Sequence, residues 1–133
     1  MRLACLYTIT AVILLVSCSK NNNGPDSLYG DWLYLERAGG FAGGSVPPPA
    51  GTRIILSLNR NGSFQQLTNR TITGSGPWSV KYVRNGGPGP DSAYALIFGN
   101  DEQGKLLISL QHDTLLLSED AYDGFEYIYK KLH

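Results

Sequence analysis

Few side chains in this 133-residue chain could catalyse a reaction or bind a metal ion. It contains two cysteines and two histidines, fewer than a zinc site built from cysteines or from three histidines requires. His112 precedes Asp113, but adjacent side chains on a strand point apart, so this pair is a poor acid–base constellation. Glu119, Asp120 and Asp123 lack the alternating spacing of a calcium loop and are typical of a solvated turn. We therefore predict no enzymatic activity, no metal and no cofactor.

Composition and charge exclude other classes of protein. The 11 Lys and Arg residues balance the 11 Asp and Glu residues, which argues against nucleic acid as a partner because a phosphate backbone requires a basic face. The hydrophobic fraction of 42% argues against a disordered chain. The length allows one domain rather than two.

The first eighteen residues have the features of a bacterial secretion signal. Arg2 supplies a positive charge, and residues 6–16 form an apolar run shorter than the roughly 20 residues of a membrane-spanning helix. Residues 15–18 read Leu-Val-Ser-Cys, which resembles the lipobox of bacterial lipoproteins. The resemblance implies that residues 1–17 are removed as a signal peptide and that Cys18, acylated with fatty acids such as palmitate, becomes the N-terminus. The alternatives are a short membrane anchor or an ordinary signal beside an unrelated cysteine.

The lipobox resemblance also implies where the protein resides. Two or more acyl chains hold a protein stably on a membrane, so we expect a lipid-anchored protein of the cell envelope with the membrane as its partner. Ser19, rather than aspartate, follows the cysteine, which favours the outer membrane of a Gram-negative bacterium. Residues 18–27 are polar and rich in Asn, and we interpret them as a flexible tether. Because Cys5 leaves with the signal peptide, no thiol remains for an intramolecular disulfide.

Residues 28–133 are predicted to form one all-β domain. No segment after residue 27 keeps a 3.6-residue apolar period, whereas short runs of alternating apolar residues recur between Gly, Pro and Asn. Asn61-Gly62, for example, indicates a hairpin turn. The eight predicted strands are Asp31–Arg37, Thr52–Leu58, Ser63–Asn69, Trp78–Tyr82, Tyr94–Phe98, Leu106–Leu110, Thr114–Ser118 and Phe125–Lys130.

Short connections between these strands predict an eight-stranded antiparallel up-and-down β-barrel. Closure requires the first strand to pair with the last, and it removes the sheet edges that attract other chains. A two-sheet β-sandwich of the same strands is the alternative. The predicted barrel interior is aromatic and contains Trp32, Phe64, Trp78, Tyr82, Tyr94, Phe98, Tyr127 and Tyr129.

The order of several short motifs resembles the lipocalin-like domains of bacterial lipoproteins. Residues 28–32 read Leu-Tyr-Gly-Asp-Trp, similar to the Gly-x-Trp opening of lipocalins, and a hairpin over 58–64 follows. Gly76-x-Trp78 and a tyrosine-rich last strand complete the resemblance, which covers residues 28–132. It implies a barrel in which Trp32 plugs the closed end. The chain is shorter than true lipocalins and lacks their C-terminal helix.

The loop over residues 38–51 is rich in glycine and proline, and loops of this length are often functional. In lipocalins the connection after the first strand folds over the open mouth, so the resemblance implies a lid, with Phe41 and Val46 as its only substantial apolar groups. The alternative is a surface loop that contacts no ligand.

The barrel interior is the predicted ligand site, because eight-stranded barrels either fill with side chains or hold one small ligand. We expect a small apolar ligand, with tyrosine hydroxyls and Gln66 as its polar contacts. The alternative is a filled barrel that serves as a non-catalytic protein-interaction or inhibitor module. The candidate ligand-binding residues are Trp32, Phe41, Gln66, Trp78, Tyr82, Tyr94, Tyr127 and Tyr129.

Overall fold

The computed structural model describes residues 25–84 and 92–133. The predicted signal peptide and Cys18 lie outside the described residues. The elements are α1 (Pro25–Leu28), β1 (Gly30–Gly39), β2 (Ser45–Val46), β3 (Ile54–Leu58), β4 (Ser63–Thr68), β5 (Thr71–Arg84), β6 (Ser92–Phe98), a 3-10 turn (Glu102–Gly104), β7 (Leu106–Gln111), β8 (Thr114–Glu119) and β9 (Phe125–Lys131). Within these two ranges, no helix has the length and apolar character needed to cross a membrane.

One antiparallel sheet closes into a barrel of eight strands, with β2 as an additional short strand. β1 pairs with β3, each later strand pairs with the next, and β9 returns to pair with β1 from Trp32–Lys131 to Gly39–Phe125. The predicted barrel, including the pairing of its first and last strands, is confirmed. The two-sheet sandwich is excluded because a single continuous sheet contains all the strands.

Two strands depart from the prediction. β2 pairs with the C-terminal end of β1, at Arg37–Val46 and Ala38–Ser45. The loop over 38–51 therefore begins as a hairpin. β5 starts at Thr71 rather than at Trp78, and its first half pairs with β4 while its second half pairs with β6. The glycines and proline before Trp78 concealed the early part of this strand, because these residues are depleted in strand interiors.

Leu28, Trp32 and Lys131 close one end of the barrel. The Trp32 ring is fully buried, and its Nε1 donates a 2.7 Å hydrogen bond to the Leu28 carbonyl oxygen. The Lys131 ammonium lies 4.8 Å from the Trp32 ring centroid and donates to the Ser27 carbonyl oxygen at 3.0 Å. Trp32 therefore plugs this end, as expected. Residues 25–27, expected in the tether, belong to α1 and thus to the folded unit.

Apolar side chains fill the barrel next to this closed end. Phe64 packs edge-on against Phe98 with ring centroids 4.6 Å apart. Trp78 meets Tyr29 in the same manner at 5.6 Å, and its Nε1 donates to the Asn59 carbonyl oxygen at 3.2 Å. The buried cluster consists of Leu28, Trp32, Leu56, Leu58, Trp78, Leu96, Ile108, Leu115 and Leu117.

The prediction that Tyr82 and Tyr94 lie in the interior is wrong. They are cross-strand partners near the end of the β5–β6 hairpin, and their side chains are 66% and 43% exposed. β4 pairs with β5 only as far as Pro77, and β7 pairs with β6 only at Ala95 and Leu96. The hairpin therefore extends past its neighbours, and no opposite wall covers the two rings, which pack on each other at 5.4 Å.

Candidate functional site at the barrel mouth

Polar and aromatic side chains gather at the barrel end opposite Trp32, which we call the mouth. Here β1 and β8 end and β9 begins. Alternation along β9 places Phe125, Tyr127 and Tyr129 on the inner face, and both tyrosines pack against the core. The mouth cluster is defined as Tyr34, Arg37, Glu119, Phe125, Tyr127 and Tyr129.

A β-bulge brings Arg37 into this cluster. Tyr34 pairs with Tyr129, but the next partner of β9, Ile128, pairs with Glu36, so one extra residue of β1 is inserted at position 35. Such an insertion reverses the alternation of the strand beyond it. Arg37 therefore pairs with Tyr127 and shares its inner face, although simple alternation from Trp32 would point Arg37 outwards.

Tyr127 is held by the carboxylate of Glu119. The Tyr127 hydroxyl donates to Oε1 of Glu119 at 2.9 Å, and the backbone N–H of Phe125 donates to Oε2 at 3.1 Å. Burial raises the pKa of Tyr127, and the hydrogen bond to Glu119 raises it further. Because both carboxylate oxygens are occupied, Glu119 positions Tyr127 and the start of β9. The expectation that residue 119 belongs to a solvated turn is wrong, since Glu119 is half-buried.

Tyr34 and Tyr129 present hydroxyls that have no hydrogen-bond partner among the described residues. Their rings contact each other at a centroid distance of 5.4 Å. Burial raises the pKa of Tyr129, with the nearby Tyr34 and Tyr127 hydroxyls adding to the rise. Burial also raises the pKa of Tyr34, against an opposing effect of Arg37. Both phenols therefore stay protonated at neutral pH, and each can donate one hydrogen bond.

The Arg37 guanidinium lies over the Phe125 ring, 4.2 Å from its centroid. This cation–π contact holds the side chain, and its N–H groups form no hydrogen bond within the described part of the chain. The ion pairs of the described residues involve Arg60, Lys81, Lys105 and His133, so Arg37 has no carboxylate partner there. A half-buried cation and two phenol donors thus lie on the inner face at the same end of the barrel.

The remaining predicted site residues occupy different places. Trp32 and Trp78 belong to the buried core. Gln66 lies on the inner face between Leu56 and Gly74, and its amide has no protein partner among the described residues. Since the described side chains include no buried polar atom without a partner, this amide reaches solvent. Tyr34 lies two residues after Trp32, so alternation alone would have placed it on the inner face. Arg37 and Glu119 were missed because strand alternation does not reveal a bulge or a half-buried acid at a strand end.

Phe41 stands on the rim of the mouth. The hairpin that carries it is closed by Gly39 N–H to the Gly44 carbonyl oxygen at 3.0 Å, and the Phe41 side chain is 98% exposed. The Gly40 N–H reaches the Gly124 carbonyl oxygen at 3.4 Å and connects this hairpin to the β8–β9 turn. A ring so exposed does not cover the opening in this structure, so its role as a lid stays a prediction.

Open clefts lie beside the mouth, on the outer wall and at the closed end of the barrel. One of about 690 Å³ runs between the 3-10 turn and the β8–β9 turn and has Glu119 in its wall. Another of about 640 Å³ lies on the outer wall, between Arg53 and Arg70. A third of about 680 Å³ lies at the closed end near Lys131. The residues described include no group of three or more side chains suited to hold a metal ion.

Comparisons with protein-family models, with curated proteins and with solved structures find no match for this chain.

Proposed function

We propose that this chain is a lipid-anchored, non-catalytic binding protein of the cell envelope. Its ligand is a small, largely apolar molecule that carries one hydrogen-bond acceptor, such as a carbonyl or carboxylate oxygen, and it binds at the barrel mouth. The observation that supports this proposal is the Arg37 guanidinium beside the hydroxyls of Tyr34 and Tyr129, above a packed apolar core; none of the three polar groups has an ion-pair or hydrogen-bond partner in residues 25–84 and 92–133. Ligand sites in proteins have this composition: apolar walls with a few polar groups that fix orientation.

Direct binding tests the ligand site. Decanoate, decanal and decane would be titrated by calorimetry into the chain from Ser19 to His133, which contains every described element. The two acceptor-bearing molecules should bind and decane should not. Arg37→Gln should weaken decanoate binding at least about tenfold, since a hydrogen bond to a charged group contributes about 1.5–3 kcal/mol.

Matched variants control for loss of fold. Tyr129→Phe removes one hydroxyl and should weaken binding about three- to tenfold. Tyr94→Phe removes a hydroxyl from the exposed hairpin, and Arg84→Gln removes a cation from the end of β5, so both should bind as the parent does. Equal binding by Arg37→Gln and the parent, or no binding of any acceptor-bearing molecule, would contradict the proposal.

Anchoring through Cys18 has a separate test. The mass of the N-terminal peptide from the envelope fraction should correspond to a chain that begins with acylated Cys18. Cys18→Ser should abolish palmitate labelling and leave the signal peptide attached. A mature chain without added lipid would contradict the anchor while leaving the ligand proposal intact. Density-gradient separation of inner and outer membranes tests the expected outer-membrane location.

The exposed rim supports a second candidate function, that of a protein-interaction module. Phe41 is 98% and Tyr122 is 92% exposed, on two loops connected by the Gly40–Gly124 hydrogen bond. Fully exposed large aromatic side chains are common in protein interfaces. A partner that copurifies with the parent and is lost with Phe41→Ser/Tyr122→Ser, but retained with Arg37→Gln, would favour this candidate over the ligand carrier.

A further inference from the structure

Four apolar side chains form a row across the outer wall of the barrel. Leu33, Ile55, Leu67 and Ile72 are successive cross-strand partners on β1, β3, β4 and β5. They alternate with inner residues such as Trp32 and therefore point away from the core. A bulge between β4 and β5 shifts the register so that Ile72 joins the row, where its side chain is 54% exposed.

Two arginines lie beside this row, on the side facing the mouth: Arg53 precedes β3, and Arg70 lies in the turn between β4 and β5. Arg53, Ile55, Leu67, Asn69 and Arg70 line an open groove of about 640 Å³. Its floor is made by the cross-strand pair Ile55–Leu67. Neither arginine forms an ion pair with a carboxylate in the described part of the chain. The groove therefore joins an apolar floor to two unneutralised cations.

The backbone fixes the spacing of the two arginines. The Arg53 N–H donates to Oδ1 of Asn69 at 2.8 Å, and the Asn69 N–H donates to the Arg53 carbonyl oxygen at 2.9 Å. This reciprocal pair locks the start of β3 against the turn that carries Arg70. The arginine backbones are thus held in place before any ligand arrives.

Arg70 is held in an unfavourable conformation. Its φ is +72° and that of Asn69 is +50°, a left-handed turn in which the second position favours glycine. The preceding hairpin turn has glycine at Gly62, with φ +81°. The chain therefore retains a strained arginine where glycine would be more stable, and the side chain of Arg70 is exposed rather than packed. Strain of this kind is a reason to look for function at the residue.

We propose that this groove binds one anionic amphiphile. A phosphate head lies between Arg53 and Arg70, whose guanidinium groups match its oxygens in charge and geometry. The alkyl chain lies over Ile55 and Leu67. The groove volume is in the usual range for small-molecule sites. The site shares no residue with the mouth cluster, so it does not depend on the function proposed above.

Dodecyl phosphate, below its micelle concentration, is the probe. It would be titrated by calorimetry into the chain from Ser19 to His133. We expect it to bind, and we expect its affinity to depend on Arg53 and Arg70. Arg53→Gln should weaken it at least about tenfold, whereas Arg84→Gln should not change it. Dodecyltrimethylammonium and inorganic phosphate should each bind at least about tenfold more weakly. Equal binding of either would overturn the proposal, since one lacks the anion and the other the chain. Absence of dodecyl phosphate binding would overturn it as well.

Arg70→Gly separates function from folding. It relieves the strained φ and so should raise the melting temperature by a few degrees. It should also weaken the binding of dodecyl phosphate at least about tenfold. A purely structural role for Arg70 would leave binding unchanged. Loss of binding in Arg37→Gln, with Arg53→Gln and Arg70→Gly unaffected, would place the molecule at the mouth and overturn the groove proposal.

Discussion

The plug at the closed end predicts a large difference between two tryptophan substitutions. In Trp32→Phe, the Leu28 carbonyl oxygen loses its 2.7 Å partner at a fully buried position, which costs about 1–3 kcal/mol. The smaller ring leaves a void of roughly 40 Å³, which costs about 1 kcal/mol. The contact with Lys131 is weakened as well, by about 0.5 kcal/mol. The expected loss of unfolding free energy is about 2.5–4.5 kcal/mol.

Trp78→Phe is the matched control. Trp78 is also buried, but its Nε1 donates to the carbonyl oxygen of Asn59, an exposed residue whose oxygen also accepts from the Gly62 N–H at 3.1 Å. That oxygen therefore keeps a partner after the substitution. Only the void left by the smaller ring lowers the stability, so the expected loss of unfolding free energy is about 1–1.5 kcal/mol.

Urea unfolding of both variants measures this difference. Each variant keeps one tryptophan, so its fluorescence and the far-ultraviolet circular dichroism give two independent transition curves. We expect the midpoint of Trp32→Phe to fall clearly below that of Trp78→Phe. Losses within about 0.5 kcal/mol of each other would refute the reasoning, because the buried hydrogen bond to Leu28 would then contribute nothing specific.

Three further predictions concern the core, the mouth and its rim. Trp78→Ala should cost about 3–5 kcal/mol in urea unfolding, and a loss below about 1 kcal/mol would place the ring on the surface. The pKa of Tyr129 is raised in the folded state, so its contribution to stability is complete below pH 10 and declines as the pH rises above it; alkaline unfolding should begin there, and Tyr129→Phe should reduce this dependence. At Gly39, with φ +95°, a Cβ would lie 2.8 Å from the Gly124 carbonyl oxygen. Gly39→Ala should therefore lower the unfolding free energy by about 2–4 kcal/mol, measured by thermal unfolding. An unchanged melting temperature would show that the rim adjusts without cost.

The sequence predicts the barrel because the signals for it are local and repeated. Alternating apolar residues and the Asn61-Gly62 turn define strands, and the instability of open sheet edges argues for closure. Tyr82 and Tyr94 show the limit of this reasoning. Alternation identifies the face on which a side chain lies, but not whether the neighbouring strands are long enough to cover it.

The candidate site was less predictable because it depends on a single inserted residue. The bulge at Leu35 turns Arg37 inwards, and no residue type in β1 indicates that a bulge is present. The partnership of Glu119 with Tyr127 is likewise a contact between two strands whose register depends on the whole hairpin. The loop over 38–51 has a composition that suits a lid and a hairpin equally.

The position of α1 has a consequence for how the barrel would sit in a cell. The chain enters at the sealed base, beside Trp32, and β1 then runs ten residues to the opposite rim, a path of about 30 Å along the strand. For a protein tethered through Cys18, the closed end would be nearest the bilayer and the mouth would face the aqueous compartment. A ligand bound at the mouth, as proposed above, would then enter from that compartment rather than from the leaflet that holds the anchor.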